Sequence, residues 1–194
     1  FNTCGTFDGY PGGIDPEYPL PGDPGGEGFA GFILWRDWAP DPAYYGEYVG
    51  SNTLLAPLEA GTSYTLNLWT ARGTGDTDVE ISLFGSPDDA DMPWTGFECP
   101  IGIGSWELLA SQDITYTMDG AWQEVSLVFT PTVDINAIAI GGPCDLSGGF
   151  AALSYYYLDE LTLNTSSSFS SITESGSFCI GDVTLTATVD ETGG

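Results

Sequence analysis

Positive charge is almost absent from this 194-residue chain: Arg36 and Arg72 are its only basic side chains, with no lysine and no histidine, against 28 aspartates and glutamates. The formal net charge is −26. Two fixed cations cannot neutralise a row of phosphates, which excludes nucleic acid as a partner and argues equally against an anionic membrane surface. Without histidine or lysine, Ser-His-Asp, Cys-His and Schiff-base chemistry cannot be assembled within the chain. A carboxylate pair of the kind used in glycoside hydrolysis is the one remaining acid–base device. Among 28 acidic residues such pairs arise by chance, so the chain reads as a non-enzyme. Also missing are a run of 18 apolar residues able to cross a bilayer and any sustained helical periodicity.

What is present describes a folded domain. Hydrophobic residues make up 42% and aromatics 13% of the chain, enough to fill a core. Carboxylates at this density repel one another unless salt or bound cations screen them, and Ca²⁺, with its all-oxygen coordination, fits that chemistry. The four cysteines, Cys4, Cys99, Cys144 and Cys179, are too scattered for a CxxC zinc pattern and read as disulfide partners in an oxidising compartment. The abrupt start, "FNTCGTFDGY", reads as a processed protein or an excised fragment.

Residues 1–28 are so rich in glycine and proline that irregular loop is expected. Strands are predicted at Phe29–Trp35, Gly46–Leu55, Ser63–Ala71, Val79–Phe84, Trp106–Gln112, Trp122–Phe129, Ile135–Ile140 and Leu153–Leu163, several with clean period-2 alternation. Strands joined by loops in this way predict an all-β domain, a jelly-roll or related β-sandwich over residues 1–164. A Ser/Thr-rich linker is expected at 165–176, and the beginning of an Ig-like β domain at 177–194, where Cys179 would find its partner downstream. The long loop after Phe84 contains Cys99, and loops of this length are commonly functional or need a staple. Pairing with Cys144 would supply one, with Cys4 and Cys179 as competitors.

Three features carry candidate chemistry. In "SYYYLDELTLN", straight period-2 reading puts Asp159 on one face with Tyr155, Tyr157, Leu161 and Leu163. A carboxylate on a buried face needs a partner; backbone N–H groups, a bound Ca²⁺, or a position at the sandwich rim would each provide for it. Asp8 and Asp15, set among glycines in the first loop, are the expected co-ligands of such an ion. In "GTGDTDVE", Asp76, Asp78 and Glu80 resemble the start of a calcium loop but lack its glycine and terminal glutamate, so a solvated turn is expected. "LWRDWAPDPAYYGEY" gathers Trp35, Arg36, Asp37, Trp38, Tyr44, Tyr45 and Tyr48. Aromatic faces flanked by a few charges suit stacking on sugars, though the same residues also serve to fill a core or pin a loop.

The segments "FNTCG", "GEGFAGFILW", "YGEYVGSNTLLAPLEAGTSYTLNLWTA", "GAWQEVSLVFTPTVDINAIAIGG", "YYYLDELTLN" and "CIGDVTLTA" occur in an order that resembles large cell-surface proteins exported by the type IX secretion system. Those proteins carry modules of the galactose-binding-like, carbohydrate-binding jelly-roll type, followed by Ig-like repeats. The resemblance implies a secreted, extracellular or cell-surface module, an upstream core strand before Phe1, and a structural calcium contact at Asp159. The expected function is non-catalytic structural or adhesive work, in a filament or matrix of neighbouring copies, placed ahead of recognition of a surface or environmental glycan.

Overall fold

Alternation of apolar and polar residues decides which side of each strand faces inward. The computed structural model describes residues 29–36, 44–50, 53–91, 99–145, 153–165, 172–174 and 185–187. Strands form at β1 (Ala30–Arg36), β2 (Tyr44–Gly46), β3 (Tyr48–Gly50), β4 (Tyr64–Thr74), β5 (Asp78–Ser86), β6 (Glu107–Thr115), β7 (Gln123–Phe129), β8 (Ala137–Gly141), β9 (Leu153–Thr165), β10 (Ile172–Glu174) and β11 (Leu185–Ala187). A five-stranded sheet, ordered β2-β1-β9-β4-β7, packs on a four-stranded sheet ordered β3-β8-β5-β6. Every recorded pairing is antiparallel. The protein is the expected all-β jelly-roll sandwich. Among the described residues no helix is long and apolar enough to cross a membrane.

The core lies between the sheets and is built from alternate positions. Phe32 and Leu34 of β1, Tyr64, Leu66 and Leu68 of β4, and Val125, Leu127 and Phe129 of β7 meet Val79, Ile81 and Leu83 of β5. Fully burying each such side chain stabilises by about 1.5–3 kcal/mol. An aromatic column of Phe32, Tyr156 and Tyr116 runs through this core, with ring centroids 5.4 and 5.6 Å apart. The buried hydroxyls of Thr70 and Tyr116 share a hydrogen bond of 2.7 Å, so this polar pair enters the core satisfied.

The strand expected over Gly46–Leu55 divides in two. β2 pairs with β1 in one sheet and β3 pairs with β8 in the other. Glu47, between them, is where the chain crosses the sandwich, its N–H donating to the Ile33 carbonyl at 2.9 Å. By Leu54 the backbone has left the ladder and bonds Asn136 instead. At the other end, Ile172–Glu174, inside the segment read as a linker, pairs with Leu185–Ala187.

Of the loop between β5 and β6, Cys99 and Trp106 pack on the outer face of the four-stranded sheet. Phe84, Trp106, Ala137 and Ala139 form a second, smaller buried cluster there, joined by Tyr48 and Cys99. Cys99 and Cys144 form a disulfide that ties this loop to the end of β8. Asp91 holds the loop from within, accepting hydrogen bonds from the Ser86 hydroxyl and the Ser105 N–H, both at 2.7 Å.

Candidate site on the outer face of the five-stranded sheet

Asp159 does not point into the sandwich core, as a straight period-2 reading of its strand implies. β9 carries a β-bulge: Asn67 pairs with Thr162 but Trp69 pairs with Asp159, so Glu160 and Leu161 together oppose the single residue Leu68. Glu160 occupies a left-handed backbone conformation, φ 50°. The extra residue inverts the alternation. Before it, Tyr156 and Leu158 are core; after it, Leu161 and Leu163 pack on the same core. Tyr155, Tyr157 and Asp159 therefore stand on the outer face, and the two leucines do not share it.

On that face Asp159 is 9% exposed. Its Oδ1 accepts the Glu160 N–H at 2.8 Å. Burial pushes its pKa up, the Glu160 hydrogen bond partly opposes this, and the Glu160 charge adds to it. No cation answers the charge among the described side chains. Arg72 is committed elsewhere, pairing with Asp119 at 2.6 Å and donating to the Gly75 carbonyl at 3.0 Å.

Around Asp159 the face is aromatic. Tyr157 is 3% exposed and lies edge-on to Phe29, with centroids 5.1 Å apart. Trp122 lies 6.3 Å from Tyr157 and 6.5 Å from Phe29. The Tyr155 ring, 4.9 Å from Tyr157, lies across the backbone of Gly31. A Cβ at Gly31 would stand 2.7 Å from its hydroxyl and 2.8 Å from Cε1, so a larger residue there would displace the ring. Burial also raises the Tyr157 pKa. Phe29, Tyr155, Trp69 and Trp122 remain half-buried. Towards the sheet edge the face turns polar and open: Glu124 pairs with Trp69 across the ladder, and the Ser126 hydroxyl donates to Asn67 Oδ1 at 2.6 Å. Across the four strands β1, β9, β4 and β7 the surface spans about 14 Å at the usual strand spacing.

The other expected site residues fare differently. The backbones of Trp35, Arg36, Tyr44 and Tyr45 form the β1–β2 ladder, with Trp35 opposite Tyr45 and Arg36 opposite Tyr44. Asp37, Trp38, Asp8 and Asp15 lie outside the described residues. Tyr48 sits under the loop on the opposite sheet, edge-on to Phe84 at 5.5 Å, and burial pushes its pKa up to about 12. Asp76 and Asp78 serve the turn between β4 and β5: the Asp76 N–H donates to Ser154 Oγ at 2.9 Å, and the Thr115 hydroxyl to Asp78 Oδ1 at 2.7 Å.

Calcium needs six to eight oxygen ligands. Among the described residues no group of three or more acidic or other metal-binding side chains comes together. Asp159 has one oxygen held by Glu160, and its expected co-ligands Asp8 and Asp15 lie outside the described residues.

No family model matches this chain, and no curated protein sequence matches it. Solved structures with a similar fold include the CBM22-1–GH10 modules of endo-1,4-β-D-xylanase 10B from Clostridium thermocellum, complexed with xylohexaose. That alignment has 12% identity and a TM-score of 0.38, covering 71% of this chain and 22% of that one. The K1 cleaved adhesin domain of Lys-gingipain from Porphyromonas gingivalis W83 aligns at 13% identity over 78% of this chain and 80% of that one, with a TM-score of 0.43. The N-terminal cellulose-binding domain of Cellulomonas fimi β-1,4-glucanase C aligns at 16% identity over 69% and 88%, with a TM-score of 0.35. These likenesses are slight, and function has to be read from the face itself.

Proposed function

We propose that this domain is a non-catalytic, glycan-binding module of an exported surface protein, and that the outer face of the five-stranded sheet is where sugar lies. The observation that supports the reading is the composition of that face. Half-buried Trp69, Trp122 and Tyr155 offer flat apolar surface, while Asn67, Ser126, Glu124 and Asp159 offer hydrogen-bonding groups beside it. Sugar rings present C–H faces that stack on aromatic rings and hydroxyls that bond to such neighbours. The structural or adhesive role, placed first on sequence alone, now ranks second. It requires that copies of the chain bury these rings against one another.

The test is a glycan array and a tryptophan-fluorescence titration, run with wild type, Trp69→Ala and Trp122→Ala, alongside light scattering. Saccharide binding by a monomer that both substitutions weaken supports the module. Self-association that buries the same tryptophans, with no saccharide bound, supports the adhesive role instead.

A further inference from the structure

Asp159 is a buried anion in a chain that supplies it no cation from any described side chain. Its ladder partner is Trp69, and directly opposed residues stand with Cβ atoms about 5 Å apart. Tyr157, two residues earlier, shares its side of β9. Glu160 gives it one N–H, at 2.8 Å, and Arg72 is held by Asp119 and Gly75. Of the other titratable groups described on this face, Glu124 is exposed on β7, Tyr155 is half-buried, and burial raises the pKa of Tyr157.

Among the described residues, what this site lacks is a positive charge. Aromatic faces attract cations through the ring quadrupole, and a desolvated carboxylate attracts them directly. The net charge of −26 directs the long-range field the same way, concentrating cations near the surface and repelling anions. Neutral sugars leave the carboxylate uncompensated, and uronates or sulfated sugars add to the repulsion.

We propose, resting on the glycan reading above, that the ligand is an amino sugar: a glucosamine-type oligo- or polysaccharide with free, protonated amines. Its ammonium group pairs with Asp159 while its rings lie on the neighbouring aromatics. The ligand thus provides the cation that no described side chain supplies.

The experiment is calorimetric titration of wild type, Asp159→Asn and Asp113→Asn with three oligosaccharides of equal length, in buffer that keeps free amines charged. The three are a glucosamine oligomer, its N-acetylated counterpart and a glucose oligomer. Asp113 is exposed on β6 of the other sheet, so its replacement removes the same charge away from the site. Wild type and Asp113→Asn are expected to bind the free-amine oligomer at least about tenfold more tightly than the other two, as a charge-assisted pair requires. Asp159→Asn is expected to lose that preference. Equal affinity of wild type for the three oligomers overturns the amino-sugar assignment and leaves the glycan reading standing. A preference retained by Asp159→Asn, or lost equally in Asp113→Asn, overturns it as well, because the attraction then belongs to the overall charge. If no saccharide binds at all, the glycan reading falls and takes this assignment with it.

Discussion

The two outer faces of the sandwich meet the same problem, aromatic surface facing away from the core, and resolve it differently. On the four-stranded sheet, Trp106 and Cys99 pack against Phe84, Ala137 and Ala139, and the Cys99–Cys144 disulfide ties them to the end of β8. On the five-stranded sheet, Trp69, Trp122 and Tyr155 stay half-buried beside Asp159. The first face has become a second small core, and its residues answer to packing. The second keeps a buried charge and accessible rings, neither of which a stability argument calls for. The proposed assignment of binding to one face and structure to the other rests on that contrast.

Substitutions should separate the faces by size of effect. Trp106→Ala removes the ring at the centre of the covered cluster and is expected to cost about 3–5 kcal/mol in denaturant unfolding. A cost near zero would mean that the loop does not hold the cluster together. Replacing Cys99 and Cys144 together with serine opens a closure of 45 residues. The expected loss is about 2–4 kcal/mol, with glycan affinity unchanged because the opposite face is untouched. Gly31→Ala pushes a methyl into the Tyr155 ring and should cost about 1–3 kcal/mol, together with a change in near-ultraviolet circular dichroism and in glycan affinity.

Asp159→Asn should have the smallest effect on stability, and its sign depends on pH. A carboxyl whose folded-state pKa lies above its ordinary value of 3.8 holds its proton more tightly when folded. Its contribution to stability is therefore most favourable below pH 3.8 and falls as pH rises through the higher folded value. At neutral pH the ionised group is a net cost. Asp159→Asn should be slightly the more stable protein at neutral pH, with a flatter pH profile in thermal melts. Chelation by EDTA should shift both melts alike; a shift confined to wild type would assign a calcium ion to Asp159.

Much of the fold was legible because alternation is a local signal. "DVEISLF" and "QEVSLVF" assign Val79, Ile81, Leu83, Val125, Leu127 and Phe129 to the core, and the structure puts them there. The same logic extends to Trp69: with Tyr64, Leu66 and Leu68 inward, Trp69 must face out beside Asn67. The aromatic run Trp35–Tyr48 is dense in sequence, whereas the face becomes dense only after β9, β4 and β7 come together. The error at Asp159 has one cause. Glutamate carries no mark of a left-handed bulge position, which commonly takes glycine, so the phase change at Glu160 could not be seen in "YYYLDELTLN". The crossing at Glu47 was hidden for a similar reason: a strand that changes sheets keeps its alternation while its partners change.

The division between a structural face and a binding face is tested most directly by Trp69→Ala, measured for saccharide affinity and thermal stability in the same preparation. The expected result is a loss of affinity of about tenfold or more, in line with aromatic stacking worth roughly 1.5 kcal/mol, with the cooperative melt preserved. Unchanged affinity in a folded Trp69→Ala protein would contradict the assignment of binding to this face.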